Sequence, residues 1–333
     1  MSEQAYYALD PDTVLTAVES CGLEVDGSLL SLNSYENRVY RIHDRDSVPW
    51  VVKFYRPGRW SDEAILEEHE FARELYDHEI PVIAPSSLSN GATLHFWQNF
   101  RFTLFPCVGG REPNLENPDH LTQLGRYLGR IHQVGSAKPF LHRPHITLQT
   151  YGEDSIKTIM DSPYLPSHVV PAYEAVTSQI MIILTQQFEQ HSNPEWAIRL
   201  HADFHPGNIL WGQSGPHLVD LDDARMGPAV QDLWMLIGSD QDQQCLRFDD
   251  IYHGYQEFAD FPLAQLHLLE PMRTLRILNY SAWLVRRWED PSFQHHFPWF
   301  AEVKYWEEQI LMLKEQLSVL QNDTTHQRLS SYL

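Results

Sequence analysis

The run His201-Ala202-Asp203-Phe204-His205-Pro206-Gly207-Asn208, followed twelve positions later by Asp220, gathers two carboxylates and an amide in one short stretch of chain. A carboxylate that aligns a hydroxyl and takes its proton, with a second carboxylate and an amide oxygen holding a hard divalent cation, suits the transfer of a phosphoryl group. That reaction asks for positioned charge more than for covalent help. Asp203 fits the first role, and Asn208 and Asp220 the second, with Mg²⁺ as the cation. His201 is better suited to bracing the loop than to chemistry. Upstream, Lys53 closes the run Val51-Val52-Lys53, where its ammonium would meet the α/β-phosphates of ATP. Residues 61–77 offer Glu67, Glu68 and Glu70 as its ion-pair partner. Glu68 is favoured for its distance from the helix end. Singly, Asp203, Asn208 and Asp220 could each be an ordinary turn residue; it is the spacing of the set that points to chemistry.

These groups need elements to hold them. Val39–Ile42 and Trp50–Tyr55 are β-rich and joined by the polar stretch 43–48. Leu29–Leu32, 92–97 and 101–106 read as further strands. The first helix is expected over 11–22, with Asp10 as N-cap and Pro11 at N1. The second is expected over 61–77, with Ser61 as cap, Asp62 and Glu63 in the first turn, and Ile65, Leu66, Phe71 and Leu75 on one face. Pro106-Cys107-Val108-Gly109-Gly110 breaks the pattern and reads as a hinge, with backbone near Pro106 to Val108 available to an adenine. Beyond it, helices are expected at 118–134, 169–191, 228–237, 241–259, 263–289 and 299–321. The segments 209–211 and 217–221 read as a two-stranded hairpin bringing Asn208 and Asp220 side by side, and the end from about Gln321 reads as frayed. The fold class is therefore α+β, with a β-rich N-terminal lobe over 1–106 and a helical lobe over 107–333.

Bulk properties narrow the partners. A formal net charge of −21 with no dense Lys/Arg block argues against nucleic acid and suits a cationic or basic partner better. Three scattered cysteines give no disulfide framework and fit a reducing compartment. Met1-Ser2-Glu3-Gln4 lacks the character of a secretory signal, and the longest apolar runs fall far short of a membrane span. A cytoplasmic protein without membrane contact is expected. No assembly segment is recognisable, so a monomer is expected.

The five-position separation of Asp203 and Asn208 is that of the base and metal ligand in protein-kinase catalytic loops. Without a DFG triplet, the HxDxxxxN pattern and downstream Asp220 resemble the aminoglycoside phosphotransferase and choline kinase superfamily. Leu32–Tyr40, Val51–Pro57, Gly125–Arg130, Val219–Leu236, Trp283–Trp288 and Phe297–Trp299 are similar to the bacterial stress response kinase A family, almost end to end. The resemblance implies a two-lobed, protein-kinase-like fold with ATP in the cleft between lobes. It implies Mg²⁺ dependence, transfer to Ser/Thr hydroxyls of protein substrates, and a place in the stress response. By resemblance Asp203 is the proton acceptor, Asn208 and Asp220 hold magnesium, Ser34 contacts nucleotide, and Asp232 ties the catalytic loop to a helix. The chain departs from the kinase pattern at 32–38, which has no glycine. The short stretch between Asp220 and Pro228 leaves no room for a phosphorylatable activation segment. Asp222 and Asp223 stay unassigned. The competing readings are a small-molecule phosphotransferase acting on aminoglycoside- or choline-like alcohols, a nucleotide-binding pseudokinase scaffold, and a metallohydrolase built on His201-x-Asp203-x-His205.

Overall fold

The computed structural model describes Tyr6 and residues 9–88, 91–238 and 240–333. Within these the chain forms two compact units. One comprises Met1–Pro113, Phe140–Arg143 and His205–Ala224; the other comprises Asn114–Pro139, Pro144–Phe204 and Arg225–Leu333.

The first unit is built on a five-stranded antiparallel sheet. Its strands are β1 (Val25–Ser31), β2 (Arg38–Asp44), β3 (Pro49–Phe54), β4 (His95–Trp97) and β5 (Phe100–Pro106), in the order β1-β2-β3-β5-β4. Alternation along a strand sends successive side chains to opposite faces. Val52 and Phe54 therefore join Tyr40, Ile42, Phe102 and Leu104 in one core, which helix α1 (Pro11–Ser20) covers with Val14, Ala17 and Val18. Each of these large side chains contributes roughly 1.5–3 kcal/mol by leaving water. Lys53, between them in sequence, points to the other face, opposite Val39 on β2 and Thr103 on β5. Helix α2 (Asp62–Asp77) starts where Ser61 accepts a hydrogen bond from Ala64 N. A hairpin of β7 (Ile209–Gly212) and β8 (Gly215–Leu218) also belongs to this unit.

Linker residues 107–111 run beside that hairpin: Arg111 and Trp211 exchange backbone hydrogen bonds of 3.1 and 2.7 Å. A Cβ on Gly110 would sit 2.5 Å from the Leu210 carbonyl carbon, so this close approach requires glycine.

The second unit is mainly helical: α3 (Pro118–Ser136), α4 (Asp154–Met160), α5 (Val170–His191), α6 (Val230–Ile237), α7 (Gln241–Tyr255), α8 (Leu269–Arg287), α9 (Pro291–His296), α10 (Val303–Gln321) and α11 (Thr325–Tyr332). Two three-residue strands, β6 (Ile198–Leu200) and β9 (Arg225–Gly227), pair antiparallel. Helix α3 lies against α7 with almost no gap: a Cβ on Gly125 would meet the Ile251 carbonyl oxygen at 2.0 Å.

Several expected boundaries move. The 263–289 helix is interrupted: 263–268 is a 3-10 segment, and the α-helix proper begins at Leu269. Beyond 321 the chain is not simply frayed: Thr325–Tyr332 form a further helix, with Thr325 and Leu329 buried. The stretch 92–97 is strand only over His95–Trp97, and 217–221 only as far as Leu218. No helix among the described residues is long and apolar enough to cross a membrane.

One buried group links the first unit's fold to pH. His69 on α2 is 3% exposed, with Nε2 2.7 Å from the Tyr55 hydroxyl and Nδ1 2.8 Å from Thr93 Oγ1. Burial first, then the Lys53 and Arg143 cations, pushes its imidazole down to about 3. The unfolded chain takes up a proton near pH 6.5 that the fold refuses until about pH 3, so stability falls as pH falls through that window. This group contributes about 1.4 kcal/mol per pH unit there. Between pH 7 and pH 5 the wild type should lose about 2 kcal/mol more than His69→Gln in denaturant unfolding. Identical losses in the two proteins would remove His69 as the cause.

Candidate active site

Lys53 is 4% exposed at the end of β3, and its ammonium lies among three carboxylates: Glu68 Oε1 at 3.2 Å, Asp222 Oδ1 at 3.6 Å and Asp220 Oδ1 at 3.7 Å. Burial alone would push this amine's pKa down. Glu68, with smaller help from Tyr55, Asp222 and Asp220, outweighs it and holds the amine well above the lysine range. The surrounding carboxylates favour the charged amine. Glu68 bridges Lys53 and Arg143, whose Nη2 donates to Oε2 at 2.9 Å, and burial pushes its carboxyl upward against those two cations. Neighbouring Glu67 has a different task. Its carboxylate accepts the backbone N–H groups of Leu141, His142 and Arg143 at 2.6–3.0 Å.

Asp222, which sequence reasoning leaves unassigned, joins these segments. Its Oδ2 accepts from Asn37 Nδ2 at 3.1 Å and pairs with Arg59, and its backbone oxygen accepts from Arg143 Nη1 at 2.8 Å. Burial works to raise the Asp222 carboxyl, but Arg59 and Lys53 prevail and hold it below the usual carboxylate range. Arg59 also reaches Asp223 at 2.8 Å and Glu36 at 3.7 Å. Through Asp222, therefore, the β1–β2 loop, the segment after β3 and the β3 lysine are all held to the chain just past Asp220. Nothing in local spacing announced Asn37, Arg59 or Arg143, whose partners lie 75–185 positions away.

Asp220 adopts the left-handed conformation, φ 62° and ψ 67°, which Asp tolerates better than most residues. Its side chain is 53% exposed. Val219 N donates to Asn208 O at 3.0 Å, which places the two segments side by side at the hairpin mouth. His205 Nδ1 accepts from Gly207 N at 3.0 Å and caps the turn that carries Asn208. An amide oxygen and a carboxylate are hard donors of the class Mg²⁺ prefers. Beside them Asp222 Oδ1 is buried with no hydrogen-bond donor, so the residues present fit a hard cation. Ser34 lies half-buried in the β1–β2 loop. Pro106 ends β5 opposite Trp50, and Val108 follows half-buried in the linker.

Asp203 belongs to the helical unit. The loop carrying it is fixed by Asp232 on α6, fully buried, whose carboxylate accepts His201 N at 3.0 Å and Ala202 N at 2.7 Å. Ala202 sits at φ 65°, a costly conformation for alanine that persists where surroundings over-determine it. Here Asp232 holds its N–H, and Gln231 Nε2 donates to its carbonyl at 3.0 Å. His132 Nε2 lies 3.2 Å from Asp232, and the Tyr255 hydroxyl lies 3.0 Å from His132 Nδ1. His201 is buried, and its Nδ1 accepts from Asp203 N at 3.4 Å. Asp203 itself is partly accessible, and Arg276 on α8 donates to its Oδ1 at 2.6 Å. Arg276 was not foreseen, since an arginine on an amphipathic helix gives no local sign of its partner.

Among the described residues no group of three or more His, Cys, Asp and Glu side chains is assembled to hold a metal.

The phosphotransferase enzyme family model matches residues 29–269. The chain is 45% identical over 316 residues to stress response kinase A of Escherichia coli K12, covering 95% of each protein. It is 43% identical over 315 residues to the serine/threonine protein kinase RdoA of Salmonella typhimurium LT2, covering 95% of this chain and 94% of that one. Its fold is similar to that of amicoumacin kinase hAmiN, solved with AMP-PNP, Ca²⁺ and Ami, at a TM-score of 0.74 and 20% identity over 98% and 97% of the two chains. That likeness establishes a kinase-like architecture of a β-sheet unit and a helical unit. With the family match spanning most of the chain and the close relatives spanning nearly all of it, the protein belongs to the phosphotransferase enzyme family, on its stress response kinase A branch.

Proposed function

We propose that the protein transfers the γ-phosphate of ATP to Ser/Thr hydroxyls of protein substrates. The observation that carries this reading is Lys53, a buried ammonium paired with Glu68 and standing 3.7 Å from Asp220. The arrangement suits an ammonium that binds α/β-phosphates next to a metal-binding carboxylate. Ser34 and backbone N–H groups of the β1–β2 loop serve as phosphate cover, and backbone groups from Pro106 to Val108 meet the adenine. Asn208 and Asp220 hold Mg²⁺, which when bound neutralises charge on the phosphate oxygens. Asp203 aligns the acceptor hydroxyl and accepts its proton. Protein Ser/Thr as acceptor is supported by the names of the relatives at 43–45% identity.

The test is γ-labelled ATP and Mg²⁺ offered with a generic basic protein, the enzyme itself and a panel of aminoglycosides and choline-like alcohols. Label on protein Ser/Thr is expected. Label on a small alcohol alone would move the assignment to a small-molecule phosphotransferase, the reading favoured by the likeness to amicoumacin kinase. ATP binding without transfer to any acceptor would leave a scaffold.

Asp222 acts here through Asp220 and Lys53. Asp222→Asn keeps the shape but removes the charge facing Lys53 and Arg59, and should weaken Mg²⁺-dependent nucleotide binding by about 10- to 100-fold, as loss of outer-shell support does. Nucleotide titration with and without Mg²⁺ reads the effect. An unchanged Mg²⁺ dependence would rule out the supporting role.

A further inference from the structure

The helical unit contains a cavity of about 450 Å³ between α8 and α10, walled by Tyr280, Trp299, Tyr305 and Met312 and edged by Arg276 and Glu308. Arg276 is also the residue that donates to Asp203 Oδ1 at 2.6 Å, so the cavity adjoins the carboxylate read above as the base. Its size and mostly apolar lining with a few polar groups are those of a ligand pocket. Tyr280, Trp299 and Met312 are 37–46% exposed, large apolar side chains grouped at one place on the surface.

The charges at its edge decide what enters. Arg276 is neutralised by Asp203, and Glu308 pairs with Lys304 at 3.6 Å. The Tyr305 hydroxyl is engaged 2.7 Å from Ser281 Oγ, which leaves its ring for the wall. With both charged edge groups already paired and the walls aromatic and apolar, a neutral apolar occupant is complementary. We propose that this pocket seats one bulky apolar side chain (Leu, Met, Phe or Trp) of the protein substrate, a few residues from the acceptor Ser/Thr. The pocket thereby selects the phosphorylation site. This specificity role rests on the protein-kinase reading given above.

A positional-scanning library of Ser-acceptor peptides, labelled from γ-labelled ATP by the full-length protein, tests it. The expected result is a preference for bulky apolar residues at one fixed position from the Ser, on the order of 10- to 100-fold over Gly in kcat/KM. That ratio should collapse towards 1 in Trp299→Ala, which removes a wall, and in Met312→Trp, which fills the space without truncating the core. Peptide labelling with no apolar preference, with a basic preference instead, or with an apolar preference unchanged in Met312→Trp, would overturn the pocket and leave the protein-kinase reading standing. Label confined to small alcohols would overturn both.

Discussion

Asp203→Ala should slow phosphoryl transfer by about 10²- to 10⁴-fold, the span for losing a positioned general base, with nucleotide affinity retained. The reasoning is local to the helical unit. Asp232 holds the His201 and Ala202 N–H groups whatever side chain follows them, so the loop keeps its path in the variant. What disappears is one carboxylate, engaged at Oδ1 by Arg276 and proposed to take the acceptor's proton. Lys53, Asn208 and Asp220, proposed to hold nucleotide and metal, belong to the other unit and are untouched. Single-turnover transfer from γ-labelled ATP, set beside a fluorescent-nucleotide titration, separates the two quantities. Full transfer activity in the variant would show that the proton goes elsewhere. A parallel loss of nucleotide affinity would show that Asp203 belongs to the binding machinery instead.

Glu68→Ala should destabilise the fold by about 3–5 kcal/mol, the cost of leaving buried charge without its partner. Two cations depend on this carboxylate. Lys53 Nζ lies 3.2 Å from one oxygen and Arg143 Nη2 lies 2.9 Å from the other, with all three side chains 5% exposed or less. Removing it leaves Lys53 to Asp220 and Asp222 at 3.6–3.7 Å, which draws the ammonium towards the proposed metal ligand. Denaturant unfolding gives the stability loss, and a raised KM for ATP should accompany it. Glu68→Gln, which keeps an acceptor oxygen for one cation, should recover part of both. A Glu68→Ala protein within 1 kcal/mol of wild type would mean that water or rearranged acids replace the carboxylate at little cost.

Sequence alone determined what is written within a few residues. Asp10-Pro11 and Ser61 start their helices because a capping oxygen needs only the N–H three positions on. Val51-Val52-Lys53 reads as strand because its residues suit a pleated surface, and strand parity put Lys53 on the face away from Val52 and Phe54. The types and spacing of Asp203, Asn208 and Asp220 pointed to phosphoryl transfer before any contact was known. Only the tertiary structure decided which of the neighbouring glutamates meets Lys53. Glu67 and Glu68 are alike in charge and propensity, yet one caps the N–H groups of 141–143 and the other holds Lys53 and Arg143. It also decided the pairings of Arg59 with Asp222 and Arg276 with Asp203, 163 and 73 positions apart. The strands β6 and β9 follow the same rule, each only three residues long and defined wholly by the other. So does α11, whose apolar signal is slight until Thr325 and Leu329 are buried. The physical reason is one of range. Caps, turns and periodicity act through neighbours along the chain, whereas the partner of a buried charge is set by which segments the packed core brings within a few ångströms, and nothing beside it in sequence encodes that.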